Sequence, residues 1–177
     1  MHLKGYVVDD TVLYSGASLN NVYLHVGERY RFDRYHLIHS PALADSLSGY
    51  MLDYLAAAPA VLRLDQPITV DKGSQNRATR LFRKQLARSQ YQVVDSAPCN
   101  SGLSIHPVVG VGRNNRFNKL LERLLHSAQQ RISICTPYFN LPKPLLKAID
   151  QALVRGVQVE IIVGDKTAND FYIPPSE

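Results

Sequence analysis

His2, Lys4, Asp9, Gly16, Ser18 and Asn20 put an imidazole, an ammonium group, a carboxylate, a hydroxyl and a carboxamide within one short stretch. Together they suit phosphoryl transfer. An imidazole can attack phosphorus as a nucleophile or move a proton near neutral pH. A lysine neutralises charge on the phosphoryl oxygens of the transition state. Ser18 and Asn20 can donate further hydrogen bonds to those oxygens, and Gly16 lets the backbone approach closely. Asp9 joins the candidate catalytic set by its spacing, with a turn-forming or orienting role as the plainer reading.

Such groups act only if strands hold them. His2 and Lys4 are two residues apart, so an extended strand projects both from one face. Gly5 to Val8 and Thr11 to Tyr14 are apolar, β-branched and aromatic, with Asp9-Asp10 between them, which predicts a tight hairpin. A further strand is expected around Tyr35 to Ile38. Ser40-Pro41 pairs a capping hydroxyl with a proline at the first helical position. The helix that follows is predicted to reach about Ala57, with Leu43, Leu47, Tyr50, Met51 and Tyr54 on its buried face. Pro67 to Ser74 is expected to be loop, and Gln75 to about Tyr91 a second amphipathic helix with Ala78, Leu81, Phe82 and Leu86 on one face. On that helix Arg77, Arg80, Lys84 and Arg88 recur at i, i+3, i+7 and i+11. This basic stripe is either a solvated face or a membrane-surface site for anionic lipid headgroups.

Residues 96–102 have a linker composition and are expected to divide residues 1–95 from residues 103–177. Beyond them the pattern predicts a strand at Ile105 to Val109, a helix at Arg116 to Gln129 with Leu120, Leu121, Leu124, Leu125 and Ala128 buried, and a buried strand at Arg131 to Thr136. A helix opening at Pro142 or Pro144 and ending at Val154 before Gly156 follows, then an apolar strand at Val157 to Val163 covered on both faces. The fold class is therefore α/β, with a β-α-β-α-β second part. Open α/β sheets bind ligands beyond the carboxyl ends of their strands. Tyr138, Asp165, Lys166 and Asn169 fall at such ends and are candidate pocket residues, with core packing or a solvated loop as the alternatives.

Composition bounds the rest. The chain has 177 residues, 45% hydrophobic and 20% charged, as in an ordinary folded protein. A net charge of +5 suggests an anionic partner, for which nucleic acid and anionic lipid both qualify. No apolar run reaches the roughly 18 residues of a membrane-spanning helix. Cys99 and Cys135 provide no disulfide framework, which favours a cytoplasmic location, and Cys135 is expected to be a buried core residue. His36 and His39 would face opposite sides of a strand and have no ligand cluster beside them, so no metal site is expected.

The pattern H-x-K-x4-D-x6-G, matched at His2, Lys4, Asp9 and Gly16, resembles the phospholipase D superfamily. One departure is visible. The commonest family form has Ser directly after the Gly, whereas here Ala17 intervenes and Ser18 and Asn20 each sit one place further on. The runs Leu13 to Asn20, Val22 to His25, Arg34 to Ile38, Ile134 to Pro142 and Val159 to Pro174 are similar to the bacterial CDP-diacylglycerol–serine O-phosphatidyltransferases of the phospholipase D type. That resemblance implies a phospholipase D-like fold of two α/β domains, each with one H-x-K motif near its end. The chain is then expected to hold the end of one domain and the beginning of the next, as a piece of something larger. The resemblance also implies transfer of a phosphatidyl group from CDP-diacylglycerol to serine through a phosphatidyl-histidine intermediate, without metal or cofactor; lacking the second His and Lys, these residues are expected to be inactive as a monomer. Implied with it are an anionic membrane surface at the inner face of the membrane, peripheral attachment, no specific nucleic acid, and a homodimer as one way to bring two His2 residues together. The rivals are a phospholipase D-type nuclease and a non-catalytic membrane-associating remnant.

Overall fold

A computed structural model describes residues 4–28, 31–63, 65, 71–93, 104–112 and 115–165. His2, Lys166, Asn169 and the expected linker at 96–102 lie outside the described residues. The chain forms two compact units, Met1–Val109 and Gly110–Glu177.

The first unit is built on a three-stranded antiparallel sheet in the order β1 (Tyr6–Val8), β2 (Thr11–Ser15), β3 (Tyr35–His39). Val8 pairs with Thr11, so Asp9-Asp10 is a two-residue turn, and Asp9 adopts the left-handed φ of 49° that such a turn asks of an aspartate. Helix α1 (Pro41–Tyr50) starts where expected: the Ser40 hydroxyl accepts from the Leu43 amide at 3.3 Å, and Pro41 fills the first turn. Its apolar spacing buries Leu43, Ala44 and Leu47 against Val12, with Val7, Ile38, Met51 and Tyr91 packed around them. The predicted single helix to Ala57 instead widens into a π-helical stretch at Met51–Ala56, closed by an Ala57 amide bond to the Leu52 carbonyl at 3.0 Å.

Helix α2 spans Lys72–Arg88, three residues earlier at each end than its apolar pattern suggests. The Asp71 carboxylate caps it, accepting from the Ser74 amide at 2.9 Å, and these bonds hold its carboxyl below the usual range. Of the face predicted from the sequence, Leu86 is buried while Leu81 is 53% exposed. Beyond α2, Tyr91 stacks on Tyr50 at a centroid distance of 4.3 Å, and the Tyr50 hydroxyl donates to Ser89 Oγ at 2.8 Å. Burial, with Tyr50 and Tyr14 close by, pushes the Tyr91 phenol up to about 12.

The second unit contains α3 (Arg116–Ser127), β4 (Arg131–Thr136), α4 (Lys143–Val154) and β5 (Gln158–Val163). Its strands are parallel, paired from Arg131↔Gln158 to Thr136↔Val163, and α4 makes the crossover that a parallel pair requires. Helix α4 turns Leu145, Ala148, Ile149 and Ala152 inward, and Gly156 at φ 81° ends its last turn. Ile132, Ala152 and Val157 form the core, with Leu125, Ala128, Ile134 and Val159 against it. Arg155 donates from Nη2 to the carbonyls of Leu125 and Ala128 at 3.1 and 3.3 Å, which satisfies the end of α3.

Four expectations are corrected here. Ile105 to Val109 pairs with no strand among the described residues, so α-β-α-β replaces the opening of the predicted β-α-β-α-β. Helix α3 ends at Ser127, and it buries none of its residues completely. Leu121, Leu125 and Ala128 are half-buried, while Leu120 and Leu124 are exposed, because the apolar stripe is wider than the surface that α4 offers. β5 is not covered on both faces: with one parallel neighbour and one covering helix, Ile161, Ile162 and Val163 stay exposed. Cys135 is exposed, since strand alternation sends it away from the face that carries Ile132 and Ile134.

Candidate functional site

The first unit supplies the geometry of the H-x-K segment. Lys4 lies just before β1, and Gly5 after it takes φ 137°, a conformation open to glycine and costly to L side chains. Helix α1 closes on this point, since a Cβ on Gly5 would lie 3.4 Å from Leu47 Cδ2. The Lys4 ammonium donates to the Ser18 hydroxyl, fourteen residues on. That contact links Lys4 to Ser18 across the Ala17 insertion.

The loop between Lys4 and Ser18's partner strand is held from within. Ser15, the last residue of β2, is buried, and its Oγ accepts from the Ala17 amide at 3.0 Å. This turns the chain so that Ala17 is buried and Ser18 faces Lys4. Asn20 also shapes the loop through its acceptors. Its Oδ1 accepts from the Tyr23 amide at 3.1 Å and its carbonyl from the Leu24 amide at 2.9 Å, so it caps a local turn. Gly16 allows a close approach: a Cβ there would lie 3.3 Å from Asp33 Oδ2 and 3.6 Å from Oδ1.

Lys4, Gly16 and Ser18 are thus gathered at one end of the sheet. Asp9 is not among them. It is exposed at the hairpin tip, five residues beyond Lys4, or about 16 Å of strand. There it forms the turn between β1 and β2. Ser15 and Asp33 went unnoticed in the sequence. Ser15 precedes the glycine where the family hydroxyl follows it, and Asp33 reaches Gly16 only because β3 returns beside β2, with Ser15 opposite Tyr35.

In the second unit, the register Thr136↔Val163 brings both strand ends to one edge. Tyr138 and Asp165 therefore emerge at the carboxyl edge of the parallel pair. Thr136 Oγ1 donates to the Tyr138 carbonyl at 3.0 Å, which fixes the turn and leaves the Tyr138 ring partly exposed. Separately, a groove of about 430 Å³ between α3 and α4 is lined by Glu122, His126, Lys143, Pro144, Lys147, Ala148 and Gln151, none of them a candidate site residue. On α2 of the first unit, Arg77, Arg80, Lys84 and Arg88 are all exposed. No helix among the described residues is long and apolar enough to cross a membrane.

Residues 121–176 match the family model described as cardiolipin synthase, PLD-like domain. The whole chain is 46% identical to the CDP-diacylglycerol–serine O-phosphatidyltransferase PssA of Escherichia coli. It is 47% identical to the corresponding enzyme of Haemophilus influenzae. A crystal structure of phosphatidylserine synthase from Haemophilus influenzae superposes with a TM-score of 0.88 at 46% identity, covering 100% of this chain and 40% of that one. The chain is thus similar over its whole length to serine O-phosphatidyltransferases, and over residues 121–176 to a PLD-like domain. It spans 39% of the length of the two serine O-phosphatidyltransferases that it matches from end to end.

Proposed function

We propose that this chain contributes to a phosphatidyltransferase that moves a phosphatidyl group from CDP-diacylglycerol to L-serine. The observation that carries the reading is the Lys4 ammonium on the Ser18 hydroxyl, which sets a cation and a hydroxyl together beside the H-x-K segment. Relatives at 46 and 47% identity, named as serine O-phosphatidyltransferases, support it. In this reading His2 attacks the phosphorus on the diacylglycerol side and CMP departs, protonated by a second imidazole. The serine hydroxyl then attacks the phosphatidyl-histidine, gives its proton to that second imidazole, and the phosphorus–nitrogen bond breaks. Lys4 and Ser18 stabilise the phosphoryl oxygens in both steps. Tyr138, Asp165, Lys166 and Asn169 are proposed to contribute to substrate binding. The 177 residues hold one H-x-K, so a complete site draws its second imidazole from outside them, and a homodimer is the arrangement this chain alone can offer.

CMP release from CDP-diacylglycerol in mixed micelles tests the proposal. Release should depend on serine, vanish in His2→Ala, and rise more steeply than linearly with chain concentration. Release indifferent to His2→Ala, or a preference for nucleic-acid phosphodiesters, would overturn it.

We also propose that α2 meets an anionic membrane surface on the cytoplasmic side. Its residues include Lys72, Arg77, Arg80, Arg83, Lys84 and Arg88 and no acid, and the exposed Leu81 lies one turn from Arg77 and Lys84. At about 1 kcal/mol per basic residue, Arg80→Gln with Lys84→Gln should weaken binding to anionic vesicles by roughly thirtyfold. Co-sedimentation with phosphatidylglycerol vesicles measures this; an unchanged affinity would remove α2 from the membrane surface.

A further inference from the structure

The groove of about 430 Å³ between α3 and α4 takes its shape from helical spacing and residue size. Lys143, Lys147 and Gln151 stand one turn apart on α4, and Glu122 and His126 one turn apart on α3. Each set therefore forms a row along its helix. Ala148, at 0% exposure, also lines the groove, and its single methyl group leaves the space between the rows open. The two helices are held without help from these residues. Arg155 donates to the Leu125 and Ala128 carbonyls, and Leu125 and Ala128 pack on the core of Ile132, Ala152 and Val157. The lysines of the groove are thus not needed to close the helix pair.

Their charge is uncompensated. Lys143 and Lys147 are exposed and have no ion pair among the described residues. The acid of the groove, Glu122, has an imidazole beside it: its Oε1 lies 4.0 Å from His126 Nε2, one turn away on the same helix. A ligand in the groove meets two ammonium groups against one carboxylate, so an anion gains by entering and a cation does not. Each ammonium is a compact charge with three donors and no acceptor. A phosphate group has enough oxygens to accept from both at once, and lysine binds phosphate as a point charge. The volume exceeds the roughly 300 Å³ at which small-ligand sites begin, which leaves room for a phosphate and the group that it esterifies.

We propose that this groove is a binding site for a phosphate group, held by Lys143 and Lys147 of α4 with His126 facing it from α3. The phosphate is that of a phospholipid headgroup or of a soluble phosphate ester, since the groove offers both the same contacts. The site belongs to the second unit alone and does not depend on the phosphatidyl-transfer reading. Binding there makes and breaks no bond.

The test follows amide chemical shifts of the whole chain during titration with inorganic phosphate. Saturable shifts should appear at residues 122–126 and 143–147. Lys143→Gln with Lys147→Gln should weaken the binding by roughly tenfold or more, because hydrogen bonds to charged groups are the stronger ones. Lys119→Gln with Arg123→Gln removes the same charge from exposed positions of α3 outside the groove. At physiological ionic strength that control should change the affinity by less than about twofold. Equal weakening by both double variants would mean a diffuse attraction to net charge, and would overturn the site. So would acetate that shifts the same amides at the same concentrations, which would mean an adventitious ion only. Co-sedimentation with phosphatidylglycerol vesicles separates the two sources. Vesicle binding that the groove variant loses and the control keeps supports a headgroup, with or without the phosphate shifts. Weakened phosphate binding with unchanged vesicle binding supports a soluble ester. No saturable phosphate shift, together with vesicle binding equal in the two double variants, overturns the proposal.

Discussion

Replacing Lys4 by Ala is expected to lower CMP release from CDP-diacylglycerol by about a hundred- to a thousandfold, the cost of removing one preorganised donor from a developing oxyanion. The effect should fall on kcat more than on KM, because in the proposed mechanism the phosphoryl charge beside Lys4 grows toward the transition state. Ser18→Ala removes the hydroxyl that holds the ammonium and should cost less, on the order of tenfold, since the charge remains but is less well positioned. Lys4→Arg should not restore the rate: a planar, longer fork cannot take the place of a compact ammonium on one hydroxyl. Steady-state kinetics on the three variants, with circular dichroism to check folding, separate these outcomes. Lys4→Ala with more than a third of the normal rate would remove Lys4 from the site.

Leu47→Ala should have the largest effect on stability. Leu47 is buried in the small cluster of Val12, Leu43 and Ala44, and its Cδ2 lies against Gly5, next to Lys4. Truncating a buried leucine costs about 2–5 kcal/mol, from lost transfer energy and the cavity left behind. A small domain has about 5–15 kcal/mol in total, so the loss is a large share of it. Urea denaturation should show a lower midpoint for the first unit with little change in slope. The same cavity removes the support beneath Gly5, so Lys4 should be less well held and CMP release per folded molecule should fall as well. Leu81→Ala, at a position 53% exposed, is the matched control and should stay within about 0.5 kcal/mol. Equal effects at Leu47 and Leu81 would contradict the packing described here.

Much of this was legible in the residues. The Asp9-Asp10 turn, the Ser40-Pro41 helix start and the stop of α4 at Gly156 were each predictable, because each depends on groups within one or two turns of chain. The motif spacing pointed to Lys4, Gly16 and Ser18 through its resemblance to the phospholipase D pattern, while strand geometry alone put only His2 and Lys4 on one face. Errors arose where burial had to be guessed. Periodicity shows that Leu120, Leu124 and Ile162 belong to apolar faces, but not which neighbour, if any, covers them. Cys135 was misjudged because a short apolar run does not reveal which alternate residues face the helix.

The sequence by itself determined the chemistry available to this protein and the local elements that carry it, since turn, cap and strand preferences act over a few residues. Only the tertiary structure decided how the groups are used. It joined Lys4 to Ser18, tied the Asn20 carboxamide oxygen into a turn, placed Asp9 at the hairpin tip and set Asp33 against Gly16. Each of these follows from the return of β3 beside β2 and the docking of α1 on the sheet. Contacts between distant segments are set by packing and loop path, which no local preference encodes.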